Sequence, residues 1–195
     1  MELIKHFITK NSYKLILLFI LFYISIWGLA PSLIYNNIYP DTAENITLSK
    51  VFLWSYSKHP PLGMWFIGIM KKLILVNEYV AYISGTICLS VSIFFIYKIS
   101  LKFLDKKESL VSTILSTLSY YFILNFVMQY NQNTIMLPFW LASIYYFINS
   151  IQNNKLRDWS ILGVVCGFGM LAKYETAIII FAEFLFLILN YRKKY

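Results

Sequence analysis

The chain has 195 residues, of which 59% are hydrophobic and only 13% are charged. A soluble domain of this length needs more polar surface to cover its core, so the composition excludes that class. The formal net charge of +8 does not indicate nucleic-acid binding, because the basic residues lie mostly in short segments between long apolar runs. The chain is therefore predicted to be an integral membrane protein without a nucleic-acid partner.

Six apolar runs are predicted to cross the membrane as helices, since about 20 apolar residues span the hydrocarbon core. The first is predicted to be an uncleaved helix, because it is longer than the apolar region of a signal peptide and lacks a cleavage pattern. The predicted fold class is all-α, with a single transmembrane domain over 1–195. In chain order, the predicted spans are Leu15–Tyr35, Tyr79–Tyr97, Leu110–Met128, Thr134–Ile151, Trp159–Ala172 and Thr176–Tyr191.

The distribution of lysine and arginine predicts the orientation of these spans. With the N-terminus in the cytoplasm, the inner segments hold twelve basic residues and the outer segments hold five. Cytoplasmic segments carry the excess of positive charge in membrane proteins, so this orientation is favoured. It places the long segment 36–78 and the turns at Tyr130–Asn133 and Lys173–Glu175 on the outer side.

The long outer segment is predicted to contain two short amphipathic helices, Asp41–Ser57 and Leu62–Val76. A His-Pro-Pro sequence separates them, because proline removes a backbone donor and disfavours a helical conformation before it. Helices of this kind lie in the membrane interface. The segment is therefore predicted to rest on the outer face of the membrane.

Two carboxylates begin the first of these helices. Asp41 and Glu44 are three residues apart and share a face on a helix. Paired carboxylates can act as a general base or orient a nucleophile. The same spacing also fits a capping box, with Asp41 as the N-cap and Glu44 reaching back. The two interpretations are compatible, because a cap holds a carboxylate in place.

Two lysines and a histidine on the outer side are candidate phosphate contacts. Lys58 and His59 stand beside the rigid Pro-Pro turn, where a phosphate contact and an ordinary loop break both fit. Lys173 and Tyr174 end the fifth span, where a phosphate-binding cation and an interfacial anchor pair both fit.

Several other polar residues occupy informative positions. Asn131 and Asn133 flank the second outer turn, and Asn133 is the predicted N-cap of the fourth span. Asn45 begins an Asn-Ile-Thr glycosylation sequon, which is a weak signal. Glu183 lies inside the sixth apolar run, where a carboxylate is costly and often functional. With only two histidines in the chain, no histidine-rich metal site is predicted, and neither a cofactor nor a divalent metal is indicated.

Three stretches, taken together, resemble a known family in their order and predicted sidedness. The family is that of the bacterial family 39-like glycosyltransferases, relatives of the protein O-mannosyltransferases and of the aminoarabinose transferases that modify lipid A. Thr42 departs from the adjacent Asp-Glu pair of many members. The stretches are Asp41-Thr42-Ala43-Glu44 with Trp54, Lys58-His59-Pro60-Pro61-Leu62 and Trp65; Tyr130-Asn131-Gln132-Asn133-Thr134 with Leu137-Pro138-Phe139-Trp140; and Leu171-Ala172-Lys173-Tyr174.

The resemblance implies a GT-C fold in the bacterial inner (plasma) membrane. It implies transfer of a sugar from a polyprenyl phosphate to a lipid, glycan or protein acceptor on the outer side. Asp41 would be the catalytic carboxylate and Glu44 its support. Lys58, His59 and Lys173 would neutralise the donor phosphate as it leaves. The implied substrate pocket contains Tyr130, Asn131, Asn133 and Tyr174.

Full-length members of this family are considerably longer, so the chain is expected to correspond to an N-terminal portion. The alternative function is a non-catalytic membrane fragment that needs a C-terminal half or another membrane subunit as its partner. A transporter would explain Glu183 and the helices. It would not explain a long structured outer segment, because transporter substrate sites lie near the membrane midplane.

Overall fold

Helices account for the regular structure of the described chain. The computed structural model describes residues 2–35, 37–74, 80–123 and 128–191, and no β-strand occurs among them. The prediction of an all-α membrane protein is confirmed. The α-helices are α1 (Glu2–Ile24), α2 (Ala30–Ile34), α3 (Pro40–Leu48), α4 (Leu62–Ile74), α5 (Val80–Ser100), α6 (Lys106–Ser116), α7 (Tyr120–Ile123), α8 (Gln132–Asn153), α9 (Leu156–Ala172) and α10 (Thr176–Tyr191).

Three helical segments among the described residues are long and apolar enough to cross a membrane. They are Thr9–Ile34, Val80–Ser100 and Gln132–Asn153, and they correspond to the first, second and fourth predicted spans. The fifth and sixth predicted spans correspond to α9 and α10, which have 17 and 16 residues. These two helices are shorter than the roughly 20 residues of a typical span, so the total of six spans stays a prediction.

The prediction that Leu110–Met128 forms one continuous helix is wrong. Helix α6 ends at Ser116, a turn follows, and α7 begins after it. Two hydroxyl side chains bond the backbone here: Ser116 Oγ and Thr117 Oγ1 each donate to the carbonyl three residues earlier, at 2.7 and 2.6 Å. Such bonds compete with helical ones, and hydropathy does not register them. Residues 124–127 of the predicted span lie outside the described residues.

A π-helical turn over Ser25–Leu29 joins α1 to α2 within the first span. Pro31 has no N–H to donate to the Trp27 carbonyl, so the normal helical bond is missing there. The preceding turn is wider than an α-helical turn, and the Ala30 N–H donates to the Ser25 carbonyl, five residues earlier. Gly28 lies in this turn, where a Cβ would come within 3.2 Å of Thr86 Oγ1 on α5. The first span therefore approaches α5 closely.

Helix α5 is the centre of the bundle and packs against α1, α4, α6 and α8, while α8 and α9 pack along each other. Two buried apolar clusters lie at different levels of the bundle. The cluster beneath α3 and α4 supports the segment in which the candidate site residues are found. The first cluster contains Ile16, Tyr23, Leu89, Ile93, Tyr97, Leu110 and Phe122, and the second contains Ile46, Ile67, Val80, Ala81, Cys88, Tyr130, Ile135 and Ala172.

Both helices predicted between 36 and 78 exist, but the first is shorter than predicted. Helix α3 ends at Leu48 instead of continuing to Ser57. The Tyr56 hydroxyl organises part of the irregular stretch that follows, donating to the Val51 carbonyl at 2.6 Å and accepting from the Leu53 N–H at 3.3 Å. These bonds satisfy backbone groups that a longer helix would have paired. Helix α4 ends at Ile74, and the last two residues of its predicted range are not described.

Candidate active site

The first turn of α3 carries the two predicted carboxylates. Pro40 occupies the first helical position and Tyr39 is the N-cap, without a side-chain capping bond. The capping box with Asp41 as N-cap is therefore wrong: proline has a φ suited to the first helical position, and Pro40 places the N-cap at Tyr39, two residues before Asp41. Asp41 is exposed in the first turn, where the helix dipole favours a negative charge. Its carboxylate has no hydrogen bond or ion pair with the other described residues.

Glu44 forms an ion pair with Lys58 across the irregular stretch. Lys58 Nζ lies 3.0 Å from Glu44 Oε2, and both side chains are accessible to solvent. An accessible pair of this kind contributes little to stability. Its consequence is positional, because it holds Lys58 beside the helix that carries Asp41.

A buried hydrogen-bond network joins α3 to the turn that precedes α8. Thr42 Oγ1 accepts from the Tyr130 N–H at 3.1 Å, and Asn45 Nδ2 donates to the Tyr130 carbonyl at 3.1 Å. Asn45 and Gln132 also exchange bonds between their side-chain amides, at 3.0 and 3.3 Å. Asn45 is only 2% exposed. Buried amides need such partners, so the network fixes the position of α3 against this turn.

Tyr130 extends the network to α4. Its side chain is fully buried, and its hydroxyl donates to the Gly63 carbonyl at 2.6 Å. Burial raises the pKa of this hydroxyl well above its usual value, so it remains a donor at neutral pH. A Cβ on Gly63 would come within 2.8 Å of Ile135 Cδ1, so glycine permits the close approach of α4 and α8. The substrate-pocket role of Tyr130 stays a prediction; its observed position joins three helical segments.

Asn131 caps α8. Its Oδ1 accepts from the N–H groups of Asn133 and Thr134 at 3.0 and 3.1 Å. The prediction that Asn133 is the N-cap is wrong, because the helix begins at Gln132 and Asn131 has the extended backbone of a cap. The Asn133 side chain is thereby available for another contact, and its Oδ1 accepts from Lys173 Nζ at 2.8 Å.

Lys173 connects this turn to the loop between α9 and α10. Its Nζ also lies 2.8 Å from Glu175 Oε1. The bond from Lys173 is the largest reason that the pKa of the Glu175 carboxyl lies below its usual value, with a smaller electrostatic contribution from His59. His59 is thus close enough to act electrostatically on the Glu175 carboxyl, and Tyr174, between Lys173 and Glu175 in the sequence, is exposed. The three stretches that resemble a glycosyltransferase family thus meet at one end of the bundle, called here the site end.

An apolar cavity of about 370 Å³ lies between α4, α5, α8 and α9. It is lined at one end by Leu62, which directly follows the two prolines, and it extends along α8 from Ile135 to Tyr146. At 1.5 Å per residue, this stretch of helix is about 16 Å long. Other lining residues include Phe66, Cys88, Phe95, Pro138 and Phe139. Such walls suit a hydrocarbon chain better than a sugar.

Residues 58–195, more than half of the chain, match the family described as dolichyl-phosphate-mannose-protein mannosyltransferase. The chain belongs to this family. The recognition of a glycosyltransferase family from the three motifs is confirmed. The match includes Lys58, His59 and Lys173 but begins after Asp41 and Glu44, so the roles of those two carboxylates stay predictions.

Two curated relatives of this mannosyltransferase-family chain are themselves sugar transferases. The undecaprenyl phosphate-alpha-4-amino-4-deoxy-L-arabinose arabinosyl transferase of Pseudomonas savastanoi pv. phaseolicola is 27% identical over 122 residues, which cover 60% of this chain and 23% of the relative. The lipopolysaccharide core galacturonosyltransferase RgtB of Rhizobium johnstonii is 28% identical over 151 residues, which cover 71% of this chain and 28% of the relative. The chain thus spans only about a quarter of the length of either relative. No solved structure matches it.

Three residues that hold the candidate site together were not predicted for that role from the sequence: Thr42, Asn45 and Gln132. Each is buried and polar. Polar side chains beside apolar runs are the signal that could have identified them, because their burial requires partners. The sequon interpretation of Asn45 does not fit the fold, since a glycan on Nδ2 would disrupt its bonds to Tyr130 and Gln132.

Glu183 lies on α10 away from these residues. It is buried beside Ser143 of α8, and its Oε1 has no hydrogen-bond partner among the described residues. Within the described ranges, no group of three or more His, Cys, Asp or Glu side chains is arranged to hold a metal ion.

Proposed function

We propose that this chain forms the donor-binding and acceptor-activating part of a membrane glycosyltransferase. It transfers a sugar from a polyprenyl phosphate to an acceptor on the outer side of the bacterial plasma membrane. The observation that carries this proposal is the convergence of His59, Lys173 and the helix bearing Asp41 at the site end, beside an apolar cavity. The lipid-phosphate-linked sugar in the name of the Pseudomonas relative supports the donor class.

The cations of the site end suit the donor phosphate. When the bond between sugar and phosphate breaks, negative charge develops on the phosphate oxygens, and fixed cations stabilise that charge. Lys173 is held in place by Asn133 and Glu175, and Lys58 by Glu44. In the proposed complex, the donor phosphate replaces the exposed carboxylates of Glu44 and Glu175 as the partner of Lys58 and Lys173.

Asp41 acts as the general base in the proposed reaction. The acceptor hydroxyl oxygen forms a bond to the anomeric carbon while the bond from that carbon to the phosphate oxygen breaks. The hydroxyl proton passes to the Asp41 carboxylate, and polyprenyl phosphate leaves with the electron pair. The position supports this role, because Asp41 is exposed on a helix that the Asn45–Gln132 network holds rigidly.

The apolar cavity binds part of the polyprenyl chain. Its Leu62 end directly follows the His-Pro-Pro sequence, so a chain in the cavity would bring its phosphate towards the cations. The excess of basic residues in the other connecting segments supports the proposed orientation, with the site end outside and the N-terminus in the cytoplasm.

Transfer from a polyprenyl-phosphate sugar, measured in membranes that contain the chain, tests the proposal. Asp41→Asn is expected to reduce the rate at least about 100-fold, the lower range for loss of a general base. Asp158→Asn is the matched control, because Asp158 is also an acidic residue in the first turn of a helix. Retention of the parental rate by Asp41→Asn would contradict the assignment.

A second candidate function is favoured by the short coverage of the two relatives. In this alternative, the chain binds the donor but transfers the sugar only with a C-terminal partner. Purified chain would then bind the polyprenyl-phosphate sugar without transferring it, and addition of the partner segment would start transfer. In both cases Lys173→Gln is expected to weaken donor binding, whereas Lys155→Gln, in the exposed α8–α9 connection, is not.

A further inference from the structure

A second polar cluster lies at the end of the bundle opposite the site end. Tyr82, near the start of α5, donates to the Asn37 carbonyl in the segment that leads into α3. Lys98 lies about 24 Å further along the same helix, at 1.5 Å per residue. This distance is close to the thickness of a membrane's hydrocarbon core, about 30 Å. Lys98 therefore lies near the other membrane surface.

Two lysines converge on one tyrosine ring in this cluster. The Nζ atoms of Lys98 and Lys102 lie 5.3 and 5.6 Å from the centre of the Tyr145 ring. Lys98 Nζ is also 5.6 Å from the centre of the Tyr13 ring and 3.4 Å from its hydroxyl. The two positive charges are thus held close together despite their mutual repulsion.

The hydrogen-bond partners of these lysines among the described residues are all neutral. Lys102 Nζ donates to Asn149 Oδ1 and, at 3.1 Å, to Gln152 Oε1 on α8. Neither Lys98 nor Lys102 forms an ion pair within the described ranges. The adjacent acids Asp105 and Glu108 form the capping box of α6. Among the described residues, Lys98 and Lys102 therefore contact hydroxyl groups, amide oxygens and aromatic rings, and neither has a carboxylate within ion-pair distance.

Aromatic packing holds the cluster in place. Tyr13 stacks edge-on against Tyr97 at 5.4 Å, and Tyr145 packs against Phe95 and Tyr146. Tyr97 is fully buried, and its hydroxyl has no hydrogen-bond partner among the described residues. Buried hydroxyls normally have a partner. The cluster therefore combines fixed cations with an unsatisfied polar group.

We propose that Lys98 and Lys102 bind the phosphate group of an anionic phospholipid in the leaflet at this end of the bundle. Two fixed ammonium groups with neutral neighbours provide the charge for a phosphodiester, and tyrosines are common at the depth of lipid headgroups. Phe103 and Leu104, directly beside Lys102, are large and exposed. They provide contacts for acyl chains, which favours a phospholipid over free phosphate.

Binding of labelled phosphatidylglycerol to the purified full chain in neutral micelles tests this site, with phosphatidylcholine of equal chain length as the reference lipid. A basic residue near a membrane surface contributes about fivefold in affinity, so Lys98→Gln/Lys102→Gln is expected to weaken binding about 25-fold. Lys106→Gln/Lys107→Gln is the matched control, because it removes two exposed lysines close by. The control is expected to bind like the parent.

Three results would overturn the proposal: equal weakening in both double variants, no preference of the parent for phosphatidylglycerol, or displacement of the label by millimolar inorganic phosphate. Two of these use only the parent chain, so they remain decisive if the glutamine variant does not fold. The double variant Lys98→Arg/Lys102→Arg keeps both charges and is expected to retain the preference for phosphatidylglycerol over phosphatidylcholine. Loss of that preference in a folded arginine variant also contradicts the proposal. The site lies outside the proposed active site, so this outcome is independent of sugar transfer.

Discussion

Replacement of Asn45 by alanine is expected to lower the free energy of unfolding by about 3 kcal/mol, since each net hydrogen bond contributes roughly 1 kcal/mol. The side chain makes three such bonds, at 3.0 and 3.3 Å with Gln132 and at 3.1 Å with the Tyr130 carbonyl. Its truncation also leaves the Gln132 amide buried without these partners, so the loss is not expected to be smaller than this sum.

Equilibrium unfolding in mixed micelles, followed by tryptophan fluorescence, measures this loss. Thr47→Ala is the matched control, because Thr47 is exposed on the same helix and its replacement also removes the glycosylation sequon. We expect this control to lie within about 0.5 kcal/mol of the parent, as is usual for surface substitutions. The pair therefore separates a buried structural role of Asn45 from a role in glycosylation.

A double-mutant cycle with Gln132→Ala tests whether the amide pair is the cause. Contacting residues in one network couple by about 0.5–3 kcal/mol, so the double variant is expected to lose less stability than the sum of the single variants. Strict additivity, or an Asn45→Ala variant as stable as Thr47→Ala, would refute the network as the link between α3 and the turn before α8.

Two further predictions concern the end of α9 and its connection to α10. A Cβ on Gly169 would lie 2.6 Å from Thr176 Cγ2, whereas a Cβ on Gly167 would meet nothing within 4 Å. Thermal unfolding should therefore show that Gly169→Ala destabilises the protein by about 1–3 kcal/mol. Gly167→Ala should be neutral or stabilising, because alanine favours helices. Equal effects of the two substitutions would contradict the packing. Lys173 lowers the pKa of Glu175, so the ion pair is intact at neutral pH and its contribution is lost as the pH falls through that lowered pKa. Lys173→Gln is expected to raise the pKa of Glu175, measured by infrared titration of its carboxyl band. Glu175→Gln identifies that band. An unchanged titration in Lys173→Gln would show that the ion pair is absent in solution.

The sequence by itself determined the class of the protein and the family to which it belongs. The apolar runs at α5 and α8 are long enough to identify as membrane helices without knowledge of their neighbours, since span length follows from bilayer thickness. Local proline chemistry also placed the start of α4 correctly at Leu62, directly after the two prolines. The motifs around His59, Tyr130 and Lys173 identified the family because their residue types and order are visible in the linear chain.

Tertiary structure decided how the polar groups are paired. Hydropathy missed the interruption after Ser116, because the competing bonds come from side-chain hydroxyls. The prolines alone predicted the end of α3 nine residues too late, at Ser57 instead of Leu48. The partners of Asn45 lie more than eighty residues away along the chain, and nothing local to Asn45 specifies them. A buried amide takes whichever partner the packing of the helices brings within reach, so the rigid link between α3 and α8 became visible only in the folded chain.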